Sequence, residues 1–96
     1  MTKPITPEEV KKTVPSRVIL AFNQLIAERW DGYSSTIPQK EAVQRIIDIC
    51  AVTRDFIFEK GYLDVESIFQ EAGWEVAYDK PGWDENYEPF FRFRKK

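Results

Sequence analysis

Large apolar residues alternate with polar residues along the last quarter of the chain, on both sides of a Lys80-Pro81-Gly82 turn sequence. The first run is 74–79 and the second is 87–93. A period of two is typical of strands with one buried face, and a Pro-Gly turn between two such runs is typical of a β-hairpin. The sequence therefore predicts a C-terminal antiparallel hairpin. The side chains expected on its core face are Val76, Tyr78, Phe91 and Phe93.

Upstream of the hairpin, apolar residues recur every three or four positions, which is typical of amphipathic helices. Four helices are predicted in this part of the chain, over about 15–30, 38–50, 54–60 and 64–72. Thr53 and Asp64 stand where N-caps of the last two helices belong. Trp30 ends the apolar stripe of the first helix, and Cys50 ends that of the second. Both side chains are therefore expected to be buried.

Two shorter segments complete the prediction. Thr6-Pro7-Glu8-Glu9 has the cap, proline and glutamate spacing of a helix start, and Pro15 limits that helix to one or two turns. The hydroxyl-rich segment 34–37 is bounded by Gly32 and Pro38 and favours a short extra strand. The prediction is an α+β protein in which about four helices pack on the hairpin. It is organised as a single domain over 1–96, with an N-terminal arm (1–14), a helical body (15–73) and the hairpin (74–94).

The amino-acid composition limits the classes of protein to which this chain can belong. Ninety-six residues, of which 43% are hydrophobic, suffice for one core. The net charge of −2 gives no general attraction to nucleic acid. The single cysteine, Cys50, cannot form an internal disulfide, which suits a reducing compartment. No apolar run approaches the ~18 residues that span a bilayer, and the start lacks the apolar centre of a signal peptide. The expected location is the cytoplasm, with no membrane contact.

Groups able to carry catalysis are scarce. The chain has no histidine, and Cys50 has no basic neighbour in sequence to lower its pKa. The carboxylate pairs Glu8-Glu9 and Asp84-Glu85 have the pattern of solvated surface charges, since acid–base catalysis needs two carboxyls in contrasting environments. No glycine-rich phosphate loop is present. The prediction is a protein that is not an enzyme and holds no cofactor or metal.

The predicted order of helix, strand, helix, turn, helix and hairpin is that of a winged helix-turn-helix. Such a protein would bind DNA through its third helix, its hairpin and its basic C-terminus. The corresponding cations are Arg54, Lys60, Lys80, Lys95 and Lys96. Acidic residues oppose this alternative, since Asp55 and Glu59 share the third helix and the hairpin turn carries several carboxylates. A surface that contacts phosphates should be basic.

Trp83 stands in the hairpin turn among acidic residues. A tryptophan there either folds back over its own hairpin or is presented to a partner, and aromatic residues are enriched among interface anchors. The predicted contact surface adds the neighbouring charges and the open face of the hairpin, where Glu75 and Asp79 are the expected cross-strand partners of the arginines. Its members are Trp83, Asp84, Glu85, Phe90, Arg92 and Arg94. A basic terminal strand of this kind is more often a solubilising tail that discourages edge-to-edge pairing of the sheet.

The C-terminal sequence contains the pattern Gly73-Trp74, then Tyr78-Asp79-Lys80-Pro81-Gly82-Trp83, Tyr87-Glu88 and Phe91-Arg92-Phe93. This pattern resembles that of a group of small tailed-bacteriophage proteins. The resemblance extends over most of residues 14–94 and implies a phage or prophage source, but no activity. The resulting hypothesis is a non-catalytic module that binds a host or phage protein and modulates a host factor. The alternatives are a winged-helix DNA-binding protein and a minor structural protein of the phage particle.

Overall fold

The computed structural model describes Pro4 and residues 14–95. The helices and strands, in chain order, are α1 (Ser16–Glu28), β1 (Ser34–Pro38), α2 (Gln39–Cys50), α3 (Arg54–Lys60), α4 (Glu66–Glu71), β2 (Trp74–Asp79) and β3 (Phe90–Lys95). The strands form one antiparallel sheet in the order β1-β3-β2. The α+β class, the C-terminal hairpin and the extra strand near 34–37 are confirmed. The predicted helix start at Thr6 lies outside the described residues.

The hydrophobic core lies between the inner face of the sheet and the helices. Its centre is Phe22 of α1, which is fully buried and lies 5.3 Å, centroid to centroid, from Phe91. Phe93 and Phe69 of α4 complete this aromatic cluster at 6.0 and 6.2 Å from Phe22. The predicted core face of the hairpin is confirmed for three residues, and Tyr78 is half-buried. The alternation in the sequence therefore reports the face of the sheet correctly.

A three-residue link joins α2 to α3. Ala51 ends α2 in the left-handed conformation, with φ of 56°. Thr53 then caps α3 as predicted, since its Oγ1 accepts a hydrogen bond from the Phe56 N–H at 3.1 Å. Gly61 ends α3 with φ of 68°, a conformation that favours glycine. These local signals set the bounds of α3.

The first helix is shorter than predicted, and Trp30 is not buried. The last residue of α1 is Glu28, and a turn follows at once. The Asp31 Oδ1 accepts hydrogen bonds from the Tyr33 and Ser34 N–H groups, both at 2.8 Å. Trp30 lies between the end of the helix and this turn, and it is 39% exposed. The prediction of a buried Trp30 was wrong because the apolar spacing continues past the end of the helix.

Two further local predictions were wrong. The N-cap position of α4 is Val65, with no side-chain cap, while the Asp64 N–H donates to the Gly61 carbonyl at 3.0 Å. Asp64 therefore belongs to the turn after α3. Cys50, predicted to be buried, is half-buried at the end of α2.

The second strand of the hairpin starts at Phe90 and not at Tyr87. The two preceding residues bond to the first turn of α2 instead. The Pro89 carbonyl accepts from the Gln39 N–H at 2.8 Å, and the Glu88 carboxylate accepts from the Lys40 N–H at 3.2 Å. These bonds satisfy N–H groups that the start of a helix leaves without intrahelical partners. The connection between β2 and β3, residues 80–89, is therefore a long loop fixed to α2, here called the hairpin loop.

The element order also matches the winged helix-turn-helix alternative, with α2 and α3 as the helix pair and α4 as an added helix before β2. Within residues 14–95, no helix has the length and apolar character required to cross a membrane.

Candidate functional site

Trp83 is 98% exposed in the hairpin loop. The indole therefore does not fold back over its own hairpin, which was one of the two arrangements open from the sequence. Burying a tryptophan on a partner removes a large apolar surface from water, and this side chain is free to do so.

A tight turn presents this indole. The Glu85 N–H donates to the Gly82 carbonyl, and the Gly82 N–H donates to Oε1 of Glu85, both at 3.0 Å. A Cβ at position 82 would lie 2.9 Å from that Oε1, so the glycine lets the carboxylate approach the backbone. Trp83 and Asp84 occupy the two central positions of the turn. The backbone that carries the indole is therefore held by two hydrogen bonds.

A second contact holds the ends of the hairpin loop together. The Tyr87 hydroxyl lies 2.5 Å from Oδ1 of Asp79 and 2.9 Å from the Lys80 carbonyl oxygen. The hydrogen bond to Asp79 favours the protonated phenol and, with burial and the charges of Asp79 and Glu85, raises the pKa of Tyr87 to about 12. A loop fixed at its turn, at its base and at α2 loses little conformational entropy when it binds.

The charge around Trp83 is negative. Asp84 and Glu85 follow it directly, Asp79 and Glu88 stand at the two ends of the hairpin loop, and Lys80 is the one cation in this stretch. The predicted neighbours Asp84 and Glu85 are thus exposed beside the indole. The hairpin loop presents an aromatic side chain within an acidic surface.

The open face of the sheet carries the two predicted arginines. Arg94 forms an ion pair with Glu75 across the β2–β3 register, as predicted. Arg92 does not pair with Asp79, because Asp79 lies opposite Phe90 in the register. Arg92 instead lies with its Cζ 5.4 Å from the centroid of the Phe90 ring. Within the described residues its guanidinium forms no ion pair.

The predicted contact surface is therefore divided into two parts. The first part is in the hairpin loop and contains Trp83, Asp84 and Glu85. The second part is on β3, where Arg94 lies four residues beyond Phe90, on the order of 13 Å along an extended strand. Phe90, half-buried, adjoins the loop through Tyr87, with ring centroids 6.4 Å apart.

The candidate DNA-contacting cations are scattered. Arg54 and Lys60 lie on α3, over the rings of Phe58 and Phe56 at 5.0 and 5.7 Å. Lys80 follows the end of β2, whereas Lys95 is opposite the first residue of β2. These two lysines therefore lie at opposite ends of the sheet, and Lys96 lies outside the described residues.

Two grooves were not found from the sequence. The first, of about 310 Å³, lies between α3, α4 and the end of β2, and includes Phe58 and Tyr78. The second, of about 480 Å³, lies beside Trp30 and Trp74, whose rings meet edge to face at 5.7 Å. Each is built by elements distant in sequence, so no local pattern signals it.

Among Pro4 and residues 14–95, no group of three or more His, Cys, Asp or Glu side chains could hold a metal ion. Comparison of the chain with protein-family models, with curated proteins and with solved structures finds no match.

Proposed function

We propose that this protein is a non-catalytic protein-binding module and that the hairpin loop is its contact surface. The observation that carries the proposal is the 98% exposure of Trp83 on a turn closed by one backbone hydrogen bond and one hydrogen bond to the Glu85 carboxylate. Tryptophan is enriched among the residues that dominate binding energy at protein interfaces.

The acidic surroundings of Trp83 indicate which residues the partner's surface should carry. That surface has an apolar pocket for the indole, and lysine or arginine residues that face Asp84 and Glu85 border the pocket. Opposite charges around a buried anchor accelerate association and set its orientation. The resemblance to phage proteins favours a bacterial host factor in the cytoplasm, whose activity the module modulates. The same surface would also serve a minor structural role in a phage particle.

The test compares two exposed aromatic residues. Tyr33 is 83% exposed but lies outside the hairpin loop, which makes it a matched control. The partner is first captured from bacterial lysate with the wild-type protein and identified. Affinities of the purified partner are then measured for the wild type, Trp83→Ala and Tyr33→Ala. We expect Trp83→Ala to weaken binding by about 2 kcal/mol or more, and Tyr33→Ala to leave it unchanged.

Equal affinities of the wild type and Trp83→Ala for the identified partner would overturn the proposal. A loss shared equally by both variants would also overturn it, since it would show no preference for the hairpin loop. Circular dichroism of each variant establishes that the comparison is made between folded proteins.

DNA binding is the second candidate, and the helix-turn-helix order with its three-residue link between α2 and α3 favours it. Phosphate contacts make affinity fall steeply with salt. Because the cations are scattered and the hairpin loop is acidic, we expect no shift of random duplex DNA at physiological ionic strength. A salt-dependent shift that is lost in the Arg54→Ala, Lys60→Ala double variant would establish this candidate instead.

A further inference from the structure

The groove between α3, α4 and β2 has an apolar floor. Phe91 and Ile57 are buried beneath it, and Phe58, Leu63 and Tyr78 form its walls. Phe58 is 46% exposed, which is unusual for a phenylalanine of a small domain that has an apolar core available. At about 310 Å³ the groove is at the lower limit of small-molecule sites, so its size suits one long side chain.

The charged side chains that line this groove are both acidic. Asp64 lies in the turn after α3, and Glu66 starts α4. Arg54 is stacked on the Phe58 ring but does not line the groove. The apolar floor is thus bordered by carboxylates.

A third carboxylate approaches from the hairpin loop. Glu88 is fixed by the Lys40 N–H at the start of α2, next to Gln39, whose Oε1 accepts a hydrogen bond from the Tyr78 hydroxyl. Burial raises the pKa of Tyr78, and the negative charges of Glu66 and Glu88 raise it further. Both carboxylates therefore act electrostatically on Tyr78, which lines the groove.

We propose that this groove binds a lysine or arginine side chain of a basic peptide segment. The aliphatic stem lies on Phe58, Leu63 and Tyr78, and the cationic head lies between Asp64 and Glu66. Long basic side chains combine an apolar stem with a charged tip, which matches an apolar floor with an acidic border. The residues that line the groove give a phosphate group two carboxylates and no cation, so the occupant is a basic peptide and not nucleic acid.

The groove is a separate site from the turn that presents Trp83, and it does not depend on that indole. The test uses ¹⁵N-labelled protein titrated with acetyl-Lys-Leu-Lys-amide, following the amide signals of Gly61, Leu63 and Tyr78. The comparison peptide replaces both lysines by norleucine, which keeps the stem and removes the charge. We expect the lysine peptide to bind at least threefold more tightly at these three positions.

The Asp64→Asn, Glu66→Gln double variant should weaken binding of the lysine peptide by about three- to tenfold, since exposed ion pairs contribute modestly to affinity. Glu59→Gln on α3 removes one carboxylate outside the groove, and this control should have no effect. Trp83→Ala should bind the peptide as the wild type does, which separates this site from the hairpin loop.

Three results would overturn the proposal. The first is equal binding of the norleucine peptide, and the second is absence of signal changes at Gly61, Leu63 and Tyr78 up to about 10 mM peptide, the concentration range that detects millimolar binding. The third is that a twelve-base-pair DNA duplex, and not the peptide, shifts these signals.

Discussion

The hydroxyl of Tyr87 lies 2.5 Å from Oδ1 of Asp79, and this contact joins the last residue of β2 to the far end of the hairpin loop. It couples the conformation of the loop to the protonation of a phenol. Because the bond needs the phenol proton, it exists only while Tyr87 is neutral.

We expect the Tyr87 side chain to titrate near pH 12, about two units above the ordinary value for tyrosine. Replacing Asp79 by Asn should bring the Tyr87 pKa down towards 10, because the main cause of its elevation is removed. The measurement is a titration of the tyrosine ¹³Cζ signals, with Tyr87 assigned from Tyr87→Phe. A Tyr87 signal that titrates near pH 10 in the wild type would contradict the contact.

The raised pKa also has a consequence for stability. The folded-state pKa of Tyr87 is above the unfolded value near 10, so its stabilising contribution is complete below pH 10 and is lost as the pH rises towards 12. The stability difference between the wild type and Tyr87→Phe should therefore shrink over this interval. Denaturant unfolding of both proteins at pH 8 and at pH 11.5 measures this stability difference. An unchanged difference would contradict the coupling between the loop conformation and the protonation of Tyr87.

Phe22 and Trp83 should differ sharply in their effect on stability. Phe22→Ala empties the centre of the aromatic cluster and should lower the free energy of unfolding by about 3–5 kcal/mol. Trp83→Ala should change it by no more than about 0.5 kcal/mol, since the indole is 98% exposed. Urea unfolding of both variants tests this, and comparable losses would show that the turn is part of the core.

Ser35 should be the most sensitive polar residue of the sheet. Its side chain is fully buried in β1, and its hydroxyl donates to the Ile26 carbonyl near the end of α1. Ser35→Ala leaves that carbonyl without this donor and should cost about 1–3 kcal/mol. The measurement is again urea unfolding. Thr36→Ala, one residue along on the exposed face, is the control and should cost less.

Ala51 offers a stabilising substitution. It is the one non-glycine residue with positive φ among Pro4 and residues 14–95, at 56°. The left-handed conformation costs an alanine roughly 1–2 kcal/mol, and glycine avoids that cost at the price of a more flexible unfolded chain. Ala51→Gly should therefore raise stability by about 0.5–1 kcal/mol. A melting temperature below that of the wild type would show that the alanine methyl makes a compensating contact.

The elements that could be predicted from the sequence are those set by local periodicity. Alternation over residues 74–79 and 87–93 predicted the hairpin and its core face, although β3 itself begins at Phe90, and Thr53 marked the start of α3. Trp30 was misplaced because nothing in the apolar spacing distinguishes a helix from the turn after it. The start of β3 was misplaced for a different reason, since residues 88 and 89 bond to α2 and a local pattern cannot report that competition.

The candidate site was predictable only in part. Trp83 was identified from its place among turn and acidic residues, but its exposure depends on the turn closed by Gly82 and Glu85. The contact of Tyr87 with Asp79 joins the hairpin loop to β2, and the acidic groove forms where α3 and α4 meet the end of β2. Sequence analysis gives no signal for such meetings, because the contributing residues share no common spacing.

The position of β3 in the middle of the sheet governs how the chain can fold. All four helices of the described part precede β3 in the chain. Ser34 pairs with Arg94, so β1 has no strand to pair with until β3 has been synthesised. Until then β1 and β2 are two strands with no common neighbour, and the aromatic cluster lacks Phe91 and Phe93. Pairing between strands that are distant in sequence slows folding, because the chain between β1 and β3 must close into a loop before their contacts can form. A truncation ahead of Phe90 would therefore remove the sheet as a whole and not merely one of its strands.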